Sequence, residues 1–79
     1  MFSVNIYDIK TTTAIFKERA FCVVLPGEEE EFSILDFHQS VVSCLKEGIV
    51  KIDGKHSIHI KKGIARMDNN ELSILIEKA

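Results

Sequence analysis

The sequence predicts an all-β fold: a small β-sandwich of roughly eight to ten short, mostly antiparallel strands. Three observations carry this prediction. Apolar residues recur with period two almost everywhere, the spacing that places them on one face of a strand. Short apolar segments follow one another at turn-to-turn spacings of about eight to twelve residues, and Asp53-Gly54 and Asp68-Asn69-Asn70 are the strongest turn signals among them. No window long enough for a globular helix carries a helical apolar stripe.

The elements follow in order. Phe2, Val4 and Ile6 alternate with Ser3, Asn5 and Tyr7, giving an opening strand with one apolar face. Thr11-Thr12-Thr13-Ala14-Ile15-Phe16 is rich in β-branched residues and reads as a second strand. Ala20 to Leu25 is continuously apolar, as expected of a strand buried on both faces or lying at a sheet crossing. Pro26-Gly27 then turns the chain into Phe32–Leu35, a short apolar strand. Val41 to Leu45 is another strand, preferred over a short turn of helix across Ser40 to Lys46. Gly48 opens Ile49-Val50-Lys51-Ile52, with Val50 and Ile52 on one face.

Asp53-Gly54 predicts a two-residue hairpin, because such turns need positive φ. In His56 to Lys61, Ile58 and Ile60 face inward while Ser57, His59 and Lys61 face outward. Gly63 is expected to break this run before Ile64-Ala65-Arg66-Met67 resumes it. Asp68-Asn69-Asn70 is the next turn, since Asn and Asp accept left-handed conformations. Leu72 to Ile76 is the last strand.

Seventy-nine residues correspond to a single domain spanning 1–79, and the 46% apolar content is ample for one core. A net charge of −2 offers no basic excess to neutralise phosphates, so nucleic acid is not an expected partner. Apolar runs fall far short of a membrane span, so no direct membrane insertion is expected. Met1-Phe2-Ser3-Val4 begins directly on a strand pattern, and a signal peptide is not expected. Cys22 and Cys44 sit inside apolar segments and are expected to be buried free thiols.

No catalytic constellation stands out. His56 and His59 are three apart in a strand, so their rings diverge, and no metal site is expected. Cys22 and Cys44 lack the polar setting that activates a thiolate. The lone Gly27 and Gly63 form no phosphate-cradling loop, so neither nucleotide nor other cofactor is expected. Glu28 to Glu31 would ordinarily be a solvated charge run. On a short turn between two strands it has a second reading, a charged docking tip held by a rigid scaffold. His38 follows seven residues after Glu31, expected near the same end and able to donate a hydrogen bond.

Leu25-Pro26-Gly27-Glu28-Glu29-x-Glu31-Phe32-x-Ile34-Leu35-x-x-His38 resembles the L-P-G-x-x-G-E-F-G-I-L-x-G-H signature of the epsilon subunit of rotary proton-translocating ATP synthases. Leu45-Lys46-Glu47-Gly48-Ile49-Val50-Lys51-Ile52 is similar to the family's L-K-P-G-V-V-R-I. The likeness continues through Lys62-Gly63-Ile64-Ala65 and Asp68 to Leu75, and so covers nearly the whole chain in order. Glu30, Ser33, Phe37 and Lys62 depart from it, each standing where the family has glycine, and Gln39 and Ser40 also differ.

The resemblance implies a non-catalytic central-stalk subunit, a rotor part that links the gamma subunit to the membrane c-ring and couples proton flow to ATP synthesis. One sheet face would pack on gamma, and the loop end would rest on the polar loops of the c-ring. Glu31 and His38, with Gly27, Glu28 and Glu29, match the ring-facing positions. The implied location is peripheral, at the cytoplasmic face of a bacterial inner membrane. The family's C-terminal helical hairpin has no counterpart in these residues, which fits either a naturally short subunit or a domain cut from a longer chain. The competing reading is a stand-alone β-sandwich interaction module unrelated to the rotor.

Overall fold

A computed structural model describes residues 1–79. It contains eight strands and no helix: β1 (Phe2–Asp8), β2 (Ala14–Ala20), β3 (Cys22–Pro26), β4 (Glu31–Leu35), β5 (Val41–Leu45), β6 (Gly48–Ile52), β7 (His56–Asp68) and β8 (Glu71–Lys78). The all-β prediction and the strand over Val41–Leu45 both hold.

The strand order is β2-β1-β8-β7-β6-β3-β4, with β5 added beside β7. Every pairing is antiparallel except β1 with β8. The thirteen-residue β7 joins the two layers. Its first part, His56 to Ile60, pairs with β6, and its second part, Gly63 to Met67, pairs with β5. A register shift between Ile60 and Lys62 lies where one partner gives way to the other. Bulges increase local twist and bend a strand, which suits the change of partner along β7.

The fold closes on one apolar cluster. Phe2, Val4 and Ile6 of β1 and Leu72, Ile74 and Ile76 of β8 meet Val23, Leu25, Ile34, Val50 and Ile52 from the other layer. All of these are fully buried, and no polar side chain is buried with them. The period-two pattern sorts them correctly, because alternate strand residues point to opposite faces.

Several local expectations are corrected. Ala20 to Leu25 is not one strand. The chain turns a corner at Phe21, where the Asp53 carboxylate accepts the backbone N–H of Phe21 at 2.8 Å and of Cys22 at 2.9 Å. Those bonds replace ladder pairing and leave the Phe21 side chain 66% exposed. Thr11–Thr13 forms a turn, with Thr12 at φ 54 and its N–H bonded to Asp8 O at 2.8 Å. Strand β2 instead runs through Lys17-Glu18-Arg19, which tolerate solvent because β2 is an edge.

Gly63 does not end β7. A Cβ there would lie 2.7 Å from Leu75 O, so glycine permits the close approach of β8 at the bend. The Asp53-Gly54 hairpin has a three-residue loop, Asp53 to Lys55, because the ladder closes at Ile52 and His56. Asp53 and Gly54 do take positive φ, 53° and 66°. The Asn69-Asn70 turn is the two-residue kind, closing at Asp68 and Glu71. The cysteines are not both buried: Cys22 is half-buried and Cys44 exposed. In β5 the inward position goes to Leu45, which turns Cys44 and Val42 outward.

Candidate docking surfaces

The acidic turn is built on a tight frame. Pro26 at the end of β3 pairs with Glu31 at the start of β4. Gly27 is buried, bridges to Leu45 and donates its N–H to Leu25 O at 3.1 Å. A Cβ at Gly27 would stand 2.6 Å from Glu30 O and 2.9 Å from the Phe32 ring, so only glycine fits. Glu28, Glu29, Glu30 and Glu31 are all exposed, and none forms a salt bridge within the chain. The turn therefore presents unneutralised carboxylates at one end of the sandwich.

His38 is elsewhere. Glu31 opens β4, and the strand then runs about 13 Å at the usual rise per residue before it ends. His38 follows that far end, where its N–H bonds to Leu35 O at 3.1 Å. The expectation that His38 stands near the same end as the acidic turn is thus corrected: β4 carries the chain away from it. Leu35 is exposed rather than buried, because it alternates with the inward Ile34.

The neighbouring Phe37 has φ 59 and is 84% exposed. Of the positions where the resembling signature has glycine (30, 33, 37 and 62), Phe37 alone takes a left-handed conformation. The backbone tolerates Glu30, Ser33 and Lys62 without that strain.

A second surface escapes sequence reading. On the outer face of the layer built from β5, β7, β8 and β1, Cys44 pairs with Ile64, Ile64 with Leu75, and Leu75 with Tyr7. Ile64 is 45% exposed and Leu75 46%, with Tyr7 half-buried. The result is an outward apolar row crossing four strands, flanked by Val42. Its signal in the sequence is faint: apolar residues in the outward phase of otherwise alternating strands.

The charged groups nearby are local. Glu77 accepts from Lys10 at 3.0 Å and lies 3.7 Å from Lys62. The Lys10 ammonium holds the Glu77 carboxyl below its usual range, and Glu77 in turn raises the Lys10 pKa. At the opposite end, the N-terminal ammonium lies 2.8 Å from Asp36 and, aided by Asn70, lowers the Asp36 pKa. His56 packs edge-on against Phe16 with centroids 5.3 Å apart, while His59 lies 3.9 Å from Glu47. The two histidines serve different neighbours.

Residues 3–79 match the family described as ATP synthase, Delta/Epsilon chain, beta-sandwich domain. The chain belongs to this family. It is 42% identical to the ATP synthase epsilon chain of Campylobacter concisus and 44% identical to that of Campylobacter fetus. Each of these alignments covers 82% of this chain and 54% of the relative. The chain therefore spans about half the length of these relatives. The epsilon chain of Rickettsia bellii is 31% identical, with 98% of this chain and 77% of the relative covered.

Among solved structures, a chain of the Tetrahymena thermophila mitochondrial ATP synthase central stalk/c-ring has a TM-score of 0.79 at 12% identity, covering 96% of this chain and 63% of the other. A chain of the Euglena gracilis mitochondrial ATP synthase OSCP/F1/c-ring structure has a TM-score of 0.77 at 19% identity, covering 92% and 48%. At such identities the likeness establishes the β-sandwich fold of the family.

Proposed function

We propose that this chain is a non-catalytic rotor subunit of a proton-translocating ATP synthase that holds the gamma subunit against the c-ring. The observation that carries this reading is the family match across residues 3–79, which takes in both docking surfaces. The relatives' designation as ATP synthase epsilon chains supports it.

Its task is mechanical. The 79 residues act as one rigid domain, since a close-packed apolar core deforms little under load. Gamma packs on the outward apolar row of Ile64, Leu75 and Tyr7, because an exposed apolar strip on a small domain gains most by being covered. The Gly27–Glu31 turn rests on the polar loops of the c-ring, where Glu28, Glu29 and Glu31 make charge-assisted contacts. His38, at the other end of β4, belongs to a separate contact and does not share the ring-facing plane. No helix of the chain is long and apolar enough to cross a membrane. The proposed attachment is peripheral, at the cytoplasmic face of a bacterial inner membrane.

The test is reconstitution of the chain with gamma and the c-ring, comparing Glu31→Ala with His38→Ala. Glu31→Ala weakens ring binding by up to about fivefold, as for a partly exposed charged contact, and His38→Ala leaves ring binding unchanged. Ring binding indifferent to Glu31→Ala rejects the role given to the turn.

A further inference from the structure

Strand β5 is an edge without a guard. Three strands lie at free edges of the fold: β2 and β4 end the strand order, and β5 pairs only with β7. Natural edges are blunted by charges, prolines or bulges, since unpaired backbone groups recruit another strand. Strand β2 carries Lys17, Glu18 and Arg19, and β4 begins with Glu31 in the acidic turn. Strand β5 reads Val41-Val42-Ser43-Cys44-Leu45, with no charge, no proline and no bulge against β7.

The N–H of Lys46, just beyond β5, donates to Pro26 O at 3.0 Å, on the side away from β7. Backbone groups in an antiparallel ladder alternate sides. Cys44 and Val42 therefore also turn their N–H groups away from β7. Gly27 bridges Leu45 on that side, and the pairing goes no further along β5. The open edge thus continues a line that the chain itself begins.

Beside the edge lies a hollow of about 360 Å³, lined by Ser43 and Cys44, the half-buried Phe32, and Glu28, Glu29 and Glu30. A strand laid along β5 would bring its end at Cys44 next to these carboxylates. A second copy of this chain joined through its own uncharged β5 would leave the carboxylates unanswered. Charge complementarity selects the occupant.

We propose that the free edge of β5 accepts an extended segment carrying lysine or arginine, added as a further strand. The backbone of Val42 and Cys44 supplies the ladder, and Glu28 to Glu30 meet the basic side chains. Strand addition of this kind draws affinity from main-chain hydrogen bonds and selectivity from the side chains beside them. The site shares Glu28 and Glu29 with the turn given to the c-ring, but its test uses neither gamma nor the c-ring, so the two readings fail separately.

The experiment titrates the full chain with a capped hexapeptide alternating lysine and valine, and follows backbone amide exchange by NMR. The expected result is slowed exchange at Val42 and Cys44. A hexapeptide alternating glutamate and valine shows no binding. Methylating alternate backbone nitrogens of the lysine peptide weakens it about tenfold or more, because ladder bonds are lost without touching the protein. The triple variant E28Q/E29Q/E30Q weakens it severalfold. Val42→Pro abolishes the protection of the Cys44 amide, and its loss of an edge N–H leaves the β5–β7 ladder intact. Unchanged exchange at Val42 and Cys44, equal binding of the glutamate peptide, or concentration-dependent protection of these amides in the chain alone, as in a β5-to-β5 dimer, would each overturn the proposal.

Discussion

The side-chain carbonyl of Asn70 accepts the backbone N–H of Phe37 at 2.7 Å, joining the turn between β7 and β8 to the segment after β4. Asn70 also donates to Asp36 at 3.0 Å. Together these bonds hold Phe37 in a left-handed conformation that costs a bulky residue about 1–2 kcal/mol. The Phe37 ring is exposed and recovers little of that cost by packing. Phe37→Gly should therefore raise stability by roughly 1 kcal/mol, and Asn70→Ala should lower it by a similar amount. Urea unfolding midpoints of the two variants check both signs.

Gly27 is limited by space. Its missing Cβ would meet the Glu30 carbonyl at 2.6 Å, and backbone cannot yield as a flexible side chain can. Gly27→Ala is expected to destabilise the domain by about 1–3 kcal/mol, as overpacking of a closed site does. Thermal unfolding measures the loss. Amide shifts concentrated in Glu28 to Phe32 would locate it in the turn.

The Lys10–Glu77 pair makes stability depend on pH at both extremes. Glu77 has a folded-state pKa below the ordinary 4.5, so its contribution is present above that value and is lost as pH falls through the lowered one. Lys10 is raised above 10.5, so the same contribution is complete below 10.5 and is lost as pH rises through the raised value. Both groups lie at the surface, so the effect is modest and screened by salt. Glu77→Gln should narrow the stability gap between pH 7 and pH 2. Denaturant unfolding at low and high ionic strength checks this.

Much of the fold was legible because the core is written in a simple period. Phe2, Val4 and Ile6, and later Leu72, Ile74 and Ile76, occupy alternate positions and are all fully buried. The frame of the acidic turn was legible too, since Pro26-Gly27 between apolar strands has few alternatives. What could not be read depends on partners distant in sequence. The corner at Phe21 is held by the carboxylate of Asp53. The position of Gly63 within a continuous strand reflects the approach of Leu75. The apolar row exists only through the register of four strands, including the parallel pairing of β1 with β8. The separation of Glu31 from His38 follows from the length and direction of β4, which a motif spacing does not reveal.

In the proposed assembly the outward row of Ile64 and Leu75 seats the gamma subunit. Titration calorimetry of the chain against gamma from the same cells tests it most directly, with wild type compared to the double variant I64E/L75E. Both side chains point away from the core, so the variant should fold, as its unfolding midpoint will show. A one-to-one complex is expected for the wild type and a loss of about tenfold or more in affinity for the variant, because burying two carboxylates in an apolar contact is unfavourable. Absence of a complex, or equal affinity of the folded variant, would contradict it.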